Sequence, residues 1–274
     1  VILDKFLEFT QGHRSPKTYR RYKDYLESFA REHPQMLVVD LKPFHVDEWA
    51  SRGKGKRAKI TAVKRALNWA VKMGHINSNP VAGLERPEVG HREEFISSDD
   101  FTALLSHVKD QCFRDLLEFS WETGARPQEA KGVCASHVNL DDCYFVLAVS
   151  EAKGKQEQRI VYLNEKAIEI LQRNWRDDGP ILRNSRGEPW TANAVRCRFE
   201  RLENKVGKRY CQYLFRHSWI TRKLIAGVPT HTVAQLAGHR DSRMIDKHYS
   251  KVALDHKYML EQARRDIKSS NDED

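Results

Sequence analysis

The sequence predicts a mostly α-helical protein with a small antiparallel β-sheet, divided into two domains. Apolar residues recur at helical spacing over most of the 274 residues, and two short strand-like runs flank one polar loop. A segment with two prolines and two glycines, PVAGLERPEVGHREE at 80–94, separates the two parts. We therefore expect a helical first domain at 1–86, a linker at 87–94 and a second domain at 95–274.

The first domain is predicted to contain two amphipathic helices. Residues 15–31 begin with Ser15 as a candidate N-cap and Pro16 at the first helical position. Their apolar stripe consists of Thr18, Tyr22, Tyr25, Leu26 and Phe29. Residues 57–73 form the second helix, which ends at Gly74 and has an apolar face made of Ile60, Val63, Leu67, Ala70 and Val71.

The first domain also carries most of the excess positive charge. Residues 1–88 contain 17 lysines and arginines against 10 acidic residues, while the whole chain has a net charge of +9. The basic side chains lie off the apolar stripes or in the loop before the second helix, at Arg20, Arg21, Lys56, Arg57, Lys59, Lys64 and Arg65. This distribution is typical of a polyanion-binding module. A solvated basic face without a ligand is the alternative.

The second domain is predicted to be helical around one β-hairpin. Ser97 or Ser98 caps a helix that starts with two aspartates, and another helix lies near 112–123. The strands are 144–149 and 159–163, joined by the polar loop SEAKGKQEQ. Further helical patterns lie near 165–175, 191–205, 216–226, 230–237 and 253–267.

Several classes of protein are disfavoured by what the sequence lacks. No apolar run approaches the roughly 18–20 residues that a membrane span needs, and the N-terminal segment VILDKFLEF has no secretory cleavage pattern. The motifs GxxxxGK[ST], HExxH and GxSxG are absent. Five cysteines without a CxxC pair argue against a disulfide framework and a zinc site. We expect an intracellular protein with no membrane contact, metal or cofactor.

Three segments of the second domain resemble sequence boxes of the tyrosine recombinase, or phage integrase, family. TGARPQEA at 123–130 resembles the family's TGxRxxE box, and YLFRHSWITRKL at 213–224 resembles its HxLRHSFAT box. LAGHRDSRMIDKHYSKV at 236–252 resembles its LGHxxxxxTxxYxHV box. The basic first domain is similar to the family's helical core-binding domain. The resemblance therefore implies a two-domain clamp around DNA, with the catalytic domain at 95–274.

The resemblance assigns a chemical role to each box. Tyr249 is implied as the nucleophile, and its 3′-phosphotyrosyl link would keep the energy of the broken strand, so that rejoining needs no ATP. Two arginines and a histidine would bind the phosphate as charge develops, and a lysine would protonate the leaving 5′-oxygen. These residues are Arg126, Arg216, His239 and Lys153, with Glu129 as the carboxylate that orients an arginine.

The lysine and one aromatic position leave alternatives open. Lys155 is two residues from Lys153 in a loop whose length varies in the family, and we prefer Lys153 because it lies nearer the end of the apolar strand. Tyr213 stands where the family has a histidine. A phenol, with a pKa of about 10, is a poor base at neutral pH. We expect Tyr213 to contact the phosphate, and we interpret the adjacent His217 as structural.

The resemblance also implies partners and competing functions. Double-stranded DNA with specific recombination sites would be bound by a homotetramer on two sites, formed from free monomers, with DNA-bending accessory proteins. The helical tail near 253–267 would dock on a neighbouring protomer or fold back onto its own domain. A type IB topoisomerase and a catalytically silent DNA-binding relative are the alternatives. The expected setting is the cytoplasm or nucleoid of a prokaryotic or phage system, in integration or recombination of a mobile element.

Overall fold

The computed structural model describes residues 1–88, 95–151 and 157–239, together with Ile245 and Leu260. The chain divides into two compact units, Val1–Arg92 and Glu93–Asp274, each with its own hydrophobic core. The boundary between the units falls within the predicted linker range 87–94. In the part of the chain that the structure describes, no helix is both long enough and apolar enough to cross a membrane.

The first unit is built from helices packed around a hydrophobic core. The helices are α1 (Ile2–His13), α2 (Pro16–Glu32), α3 (Pro43–Ser51) and α4 (Lys56–Lys72). Ser15 caps α2 as predicted, because its Oγ accepts a hydrogen bond from the Thr18 N–H at 3.3 Å. The core contains Phe6, Tyr22, Leu26, Val46, Trp49, Ile60, Val63 and Leu67. The sequence predicts α2 and α4 to within one residue, whereas α1 and α3 are not predicted.

The second unit is mostly helical, which confirms the predicted fold class. Its helices are α5 (Ser98–Ser106), α6 (Gln111–Thr123), α7 (Pro127–Gly132), α8 (Glu165–Arg173), α9 (Ala192–Val206), α10 (Gln212–Ile225) and α11 (Thr230–Ala237), with a 3-10 turn at Ala135–His137. Helix α6 packs against α7, α8 and α10. Its Trp121 ring stacks on Phe101 with 4.2 Å between ring centroids, which joins α5 to this core.

A small antiparallel sheet lies beside these helices. Strands β1 (Val138–Asn139), β2 (Tyr144–Leu147) and β3 (Arg159–Tyr162) are hydrogen-bonded in that order. The predicted hairpin is confirmed, and the short strand β1 adds to it. Strand β2 ends two residues earlier than predicted because Leu147 pairs with Arg159, the first residue of β3. Alternate side chains, including Phe145 and Val161, face the core.

One helix boundary differs from the prediction in a way that affects the site. Helix α10 starts at Gln212 rather than 216. Gln212 is buried and its Nε2 donates to Ser120 Oγ at 3.1 Å, so a tertiary contact with α6 fixes the earlier start. Tyr213 therefore lies in the first turn of a helix. The helix predicted near 253–267 lies outside the described residues apart from Leu260.

Candidate active site

The turn between α6 and α7 positions the first predicted arginine, which is half-buried. Gly124 caps α6 with φ of 61°, the left-handed conformation that favours glycine. A Cβ on Gly124 would lie 2.4 Å from the Trp219 ring, so this turn packs directly against α10. Pro127 then starts α7, with Arg126 as its N-cap residue. The segment TGARP thus combines a tight turn with a helix start.

Arg126 and Glu129 form a compact pair at the start of α7. The backbone N–H of Arg126 donates to Glu129 Oε2 at 2.8 Å, and its Nη1 donates to Oε1 at 2.7 Å. Glu129 is 6% exposed, so its carboxylate is shielded from water. The three-residue spacing of the motif places a buried carboxylate next to the arginine, and two hydrogen bonds hold the pair together.

Arg216 lies inside α10 and is 1% exposed. Its Nη1 donates to the carbonyl of Gly124 at 2.9 Å, and its Nη2 donates to the carbonyl of Ala237. The same Nη2 lies 3.2 Å from His239 Nε2. A guanidinium can only donate, so Nε2 of His239 is the acceptor in this arrangement. Arg216 therefore joins the turn after α6 to the end of α11.

The end of α11 is the point where the site residues meet. Arg126 Nη2 donates to the carbonyl of Gly238 at 2.5 Å, next to the Ala237 carbonyl that Arg216 contacts. The last carbonyls of a helix lack partners within the helix and carry partial negative charge. Gly238 is the C-cap of α11 with φ of 67°, and His239 is the next residue. The structure thus brings Arg126, Arg216 and His239 together.

A third arginine, Arg159, lies outside the three sequence boxes and belongs to the same cluster. Arg159 Nη1 donates to the Leu236 carbonyl at 2.8 Å, and its Nε lies 3.5 Å from Glu129 Oε2. The residue is 5% exposed. The sequence RIVYL indicates this burial, because alternation along a strand puts Arg159 on the same face as the core residues Val161 and Leu163. A charge in the buried phase of a strand needs a partner.

The electrostatics of the cluster are dominated by burial and by excess positive charge. Burial by itself would raise the pKa of the Glu129 carboxyl, but the charge of Arg159 and the hydrogen bonds from Arg126 outweigh it and lower that pKa. Burial, with repulsion from Arg126 and Arg159, lowers the pKa of Arg216 to about 10. Arg216 is therefore still protonated at neutral pH. The cluster contains three guanidinium groups and one carboxylate, which pairs with Arg126 and Arg159, and such an excess of positive charge can accept an anion.

Of the remaining predicted site residues, the structure describes Tyr213 and His217, in the first half of α10. Tyr213 is 43% exposed, and its ring meets the His217 ring edge-on at 4.7 Å between centroids. The phosphate contact of Tyr213 and the structural role of His217 stay predictions. Lys153, Lys155 and Tyr249 lie outside the described residues.

The basic residues predicted to contact phosphates in the first unit are partly engaged within that unit. Lys64 Nζ donates to the carbonyls of Ala82 and Leu84 at 2.6 and 2.8 Å, and Arg57 Nη1 donates to that of Pro87 at 2.6 Å. Arg65, Lys59 and Lys56 contact Tyr22 Oη, the Arg52 carbonyl and Asp47, respectively. Arg20 and Arg21 are exposed on α2. Helix α4 thus uses its cations to hold the segment that follows it.

Comparisons with known proteins show the family and the fold. A family model described as the phage integrase family matches residues 94–256. Tyrosine recombinase XerC of Xylella fastidiosa strain 9a5c is 28% identical over 200 residues, covering 69% of this chain and 67% of that protein. Two solved structures are 17% identical and show the same fold. The Tn1549 transposon integrase in complex with circular intermediate DNA has a TM-score of 0.74 and covers 96% of this chain and 98% of that one. A lambda integrase tetramer bound to a Holliday junction has a TM-score of 0.72 and covers 90% and 76%.

Proposed function

The chain belongs to the phage integrase family of tyrosine recombinases, and we propose that it breaks and rejoins DNA strands at specific sites through Tyr249. The observation that carries this proposal is the convergence of Arg126, Arg216 and His239 at the end of α11. A phosphodiester is an anion whose negative charge increases on its non-bridging oxygens as it is attacked. A preorganised, buried group of cations stabilises that charge more than the ground state.

The proposed reaction proceeds by two transfers of one phosphoryl group. Tyr249 attacks the phosphorus through its phenolic oxygen, forms a 3′-phosphotyrosyl bond and releases a free 5′-hydroxyl. Lys153, or Lys155 in its place, donates a proton to the departing 5′-oxygen. A 5′-hydroxyl of the same or another strand then attacks the phosphotyrosyl bond and releases the tyrosine. No bond energy is lost between the two steps, so the reaction consumes no ATP.

The arginines would act by binding the non-bridging oxygens. Arg126 and Arg216 offer planar N–H groups that match phosphate oxygens. In the structure these groups contact helix carbonyls and His239 Nε2, and a phosphate oxygen would replace Nε2 as the acceptor for Arg216. The imidazole of His239, protonated at Nε2, could then donate to the same phosphate. Tyr213 would add a hydroxyl donor from the first turn of α10.

Double-stranded DNA is the proposed substrate and a homotetramer on two sites the proposed assembly. The net charge of +9, concentrated in the first unit, supports binding to a polyanion. Of the two solved structures with this fold, the Tn1549 transposon integrase is in complex with DNA, and the lambda integrase is a tetramer bound to a Holliday junction. Tail exchange between protomers, the clamp around DNA and DNA-bending partners stay predictions.

The test is to trap the covalent intermediate. The protein is expressed with its host DNA, cells are lysed in denaturant, and DNA that stays attached to the protein is sequenced. Nicked duplexes that carry the recovered sequence lose a short strand after cleavage, so the phosphotyrosyl adduct accumulates. The wild type should form the adduct on denaturing gels, and Tyr249→Phe should form none.

The competing functions give different outcomes in the same experiment. A wild type that forms no adduct with any recovered DNA would refute the proposal and support a silent DNA-binding relative. An adduct that leads to relaxation of supercoiled plasmid, without strand exchange between two marked sites, would support a topoisomerase. Strand exchange between the sites supports the recombinase.

A further inference from the structure

We propose that Arg159 is a positioning residue of this site, because its guanidinium ties the Glu129 carboxylate to the end of α11 and so aligns Arg126 with Arg216. The inference rests on the function proposed above and assigns a role to a strand residue outside the three sequence boxes. Its basis is the contacts of one buried side chain with two elements that are distant in the sequence.

The contacts of Arg159 form one member of an ordered series. Three arginines donate to three consecutive carbonyls at the end of α11: Arg159 to Leu236, Arg216 to Ala237 and Arg126 to Gly238. The donors come from β3, α10 and the start of α7. The end of α11 is thus held by contacts from three elements, and His239 lies two residues after its last residue, Ala237.

Gly238 provides the space in which the Arg159 side chain lies against the end of α11. A Cβ on Gly238 would lie 2.9 Å from Arg159 Cδ and Nε, so glycine is needed there for the close approach as well as for its φ of 67°. Arg159 Nη1 also donates to the carbonyl of Ile160 at 2.6 Å, next to itself in β3. The guanidinium therefore makes one hydrogen bond to the neighbouring residue in β3 and one to Leu236, 77 residues away.

Arg159 also contributes to the charge balance of the site through Glu129. Its Nε lies 3.5 Å from Glu129 Oε2, and Glu129 Oε1 accepts the hydrogen bond from Arg126. One carboxylate is therefore shared by two arginines on its two oxygens. Without Arg159 the carboxylate keeps Arg126 as its partner but loses the charge that restrains it on the β3 side.

The contacts of Arg159 separate this role from direct phosphate binding. Its Nη1 donates to the carbonyls of Ile160 and Leu236 and its Nε lies beside Glu129, whereas Arg216 Nη2 contacts His239 Nε2, the acceptor that a phosphate oxygen would replace. Loss of Arg159 should therefore leave DNA affinity nearly unchanged. It should slow strand cleavage, because small displacements of positioned groups cost roughly 10- to 100-fold in rate.

The experiment compares single-turnover cleavage of a nicked duplex by the full chain with equilibrium binding of the same duplex. The duplex carries a sequence recovered from trapped adducts. Arg159→Lys keeps the charge without the planar fork, and Arg159→Gln removes the charge. Arg183→Gln is the matched control, because Arg183 also donates to backbone carbonyls, all within residues 178–187. Thermal melts verify that each variant is folded.

We expect the cleavage rate of both Arg159 variants to fall about 10-fold or more, with dissociation constants within about threefold of the wild type. The control should cleave at the wild-type rate. Because Arg159 acts through Glu129, Arg159→Gln should cost little further rate in a Glu129→Gln background. A merely structural residue would lower the fraction of active protein and the melting temperature, without a change in the rate per active molecule.

Two results would overturn the inference without affecting the proposed function. Losses of Arg159→Gln and Glu129→Gln that multiply in the double variant would show that Arg159 does not act through the carboxylate. An unchanged cleavage rate in folded Arg159→Lys would show that the planar fork is not needed. A wild type that forms no adduct refutes the proposed function and, with it, the positioning role. The other two results refute the positioning role alone.

Discussion

Gly124 offers a sharp test of how the turn before Arg126 is built. Replacement by alanine places a methyl group at φ of 61° and 2.4 Å from the Trp219 ring. Trp219 is 7% exposed and its Nε1 donates to the Glu122 carbonyl at 3.0 Å, so the ring cannot move aside without losing that bond. The left-handed backbone costs about 1–2 kcal/mol for a residue with a Cβ. Overpacking adds about 1–3 kcal/mol.

Gly207 is a matched control for the backbone contribution. It caps α9 with φ of 66°, and a Cβ on it would meet nothing within 4 Å. We expect Gly207→Ala to destabilise by about 1–2 kcal/mol and Gly124→Ala by about 2–5 kcal/mol. Each kcal/mol lowers the melting temperature by roughly 2–4 °C in a domain of this size. Circular dichroism melts of the full chain would measure both variants.

Activity adds a second readout to the same pair. The Gly124 carbonyl accepts the hydrogen bond from Arg216 Nη1 at 2.9 Å, so a shifted turn displaces an arginine of the site. Adduct formation should fall in folded Gly124→Ala and be retained in Gly207→Ala. If Gly124→Ala melts no lower than Gly207→Ala, the contact with Trp219 is not the constraint and the reasoning is wrong.

Three further expectations follow from the site and from the basic first unit. The pKa of Glu129 is lowered from 4.5, so its charge stabilises the fold above that pH and the contribution is lost as pH falls through the lowered value. Glu129→Gln should therefore lower the free energy of unfolding by about 3–5 kcal/mol in urea melts at pH 7. If the difference between the variant and the wild type does not become smaller at lower pH, this expectation is wrong. Tyr213→Phe should slow adduct formation more than Tyr213→His, and a Phe variant as fast as the wild type would exclude a hydroxyl contact with the phosphate. Arg20→Ala and Arg21→Ala should each reduce the salt dependence of DNA binding by about one unit of slope without changing the melting temperature; an unchanged slope would remove α2 from the DNA interface.

The sequence by itself determines most of the local structure. Ser15 caps α2 as predicted, and of the two candidates Ser97 and Ser98 it is Ser97 that caps α5, because capping depends on a side chain and an N–H three residues away. The amphipathic stripes of α2 and α4 give those helices to within one residue. Helix α1 is not predicted, and its burial at Phe6 and Thr10 depends on packing against α2 and α4.

The candidate site shows the same division. Arg126, Arg216 and His239 are found from linear motifs, and Glu129 is found because its contact with Arg126 spans three residues. Arg159 is not found, because strand alternation states only that its side chain faces inward. Its partner at Leu236 is 77 residues away, and that of Arg126 at Gly238 is 112 residues away. Contacts of this range depend on which helix end packs over which strand. The sequence thus determined the residues that carry charge, and the tertiary structure decided that three arginines share one helix end and that two of them share one carboxylate.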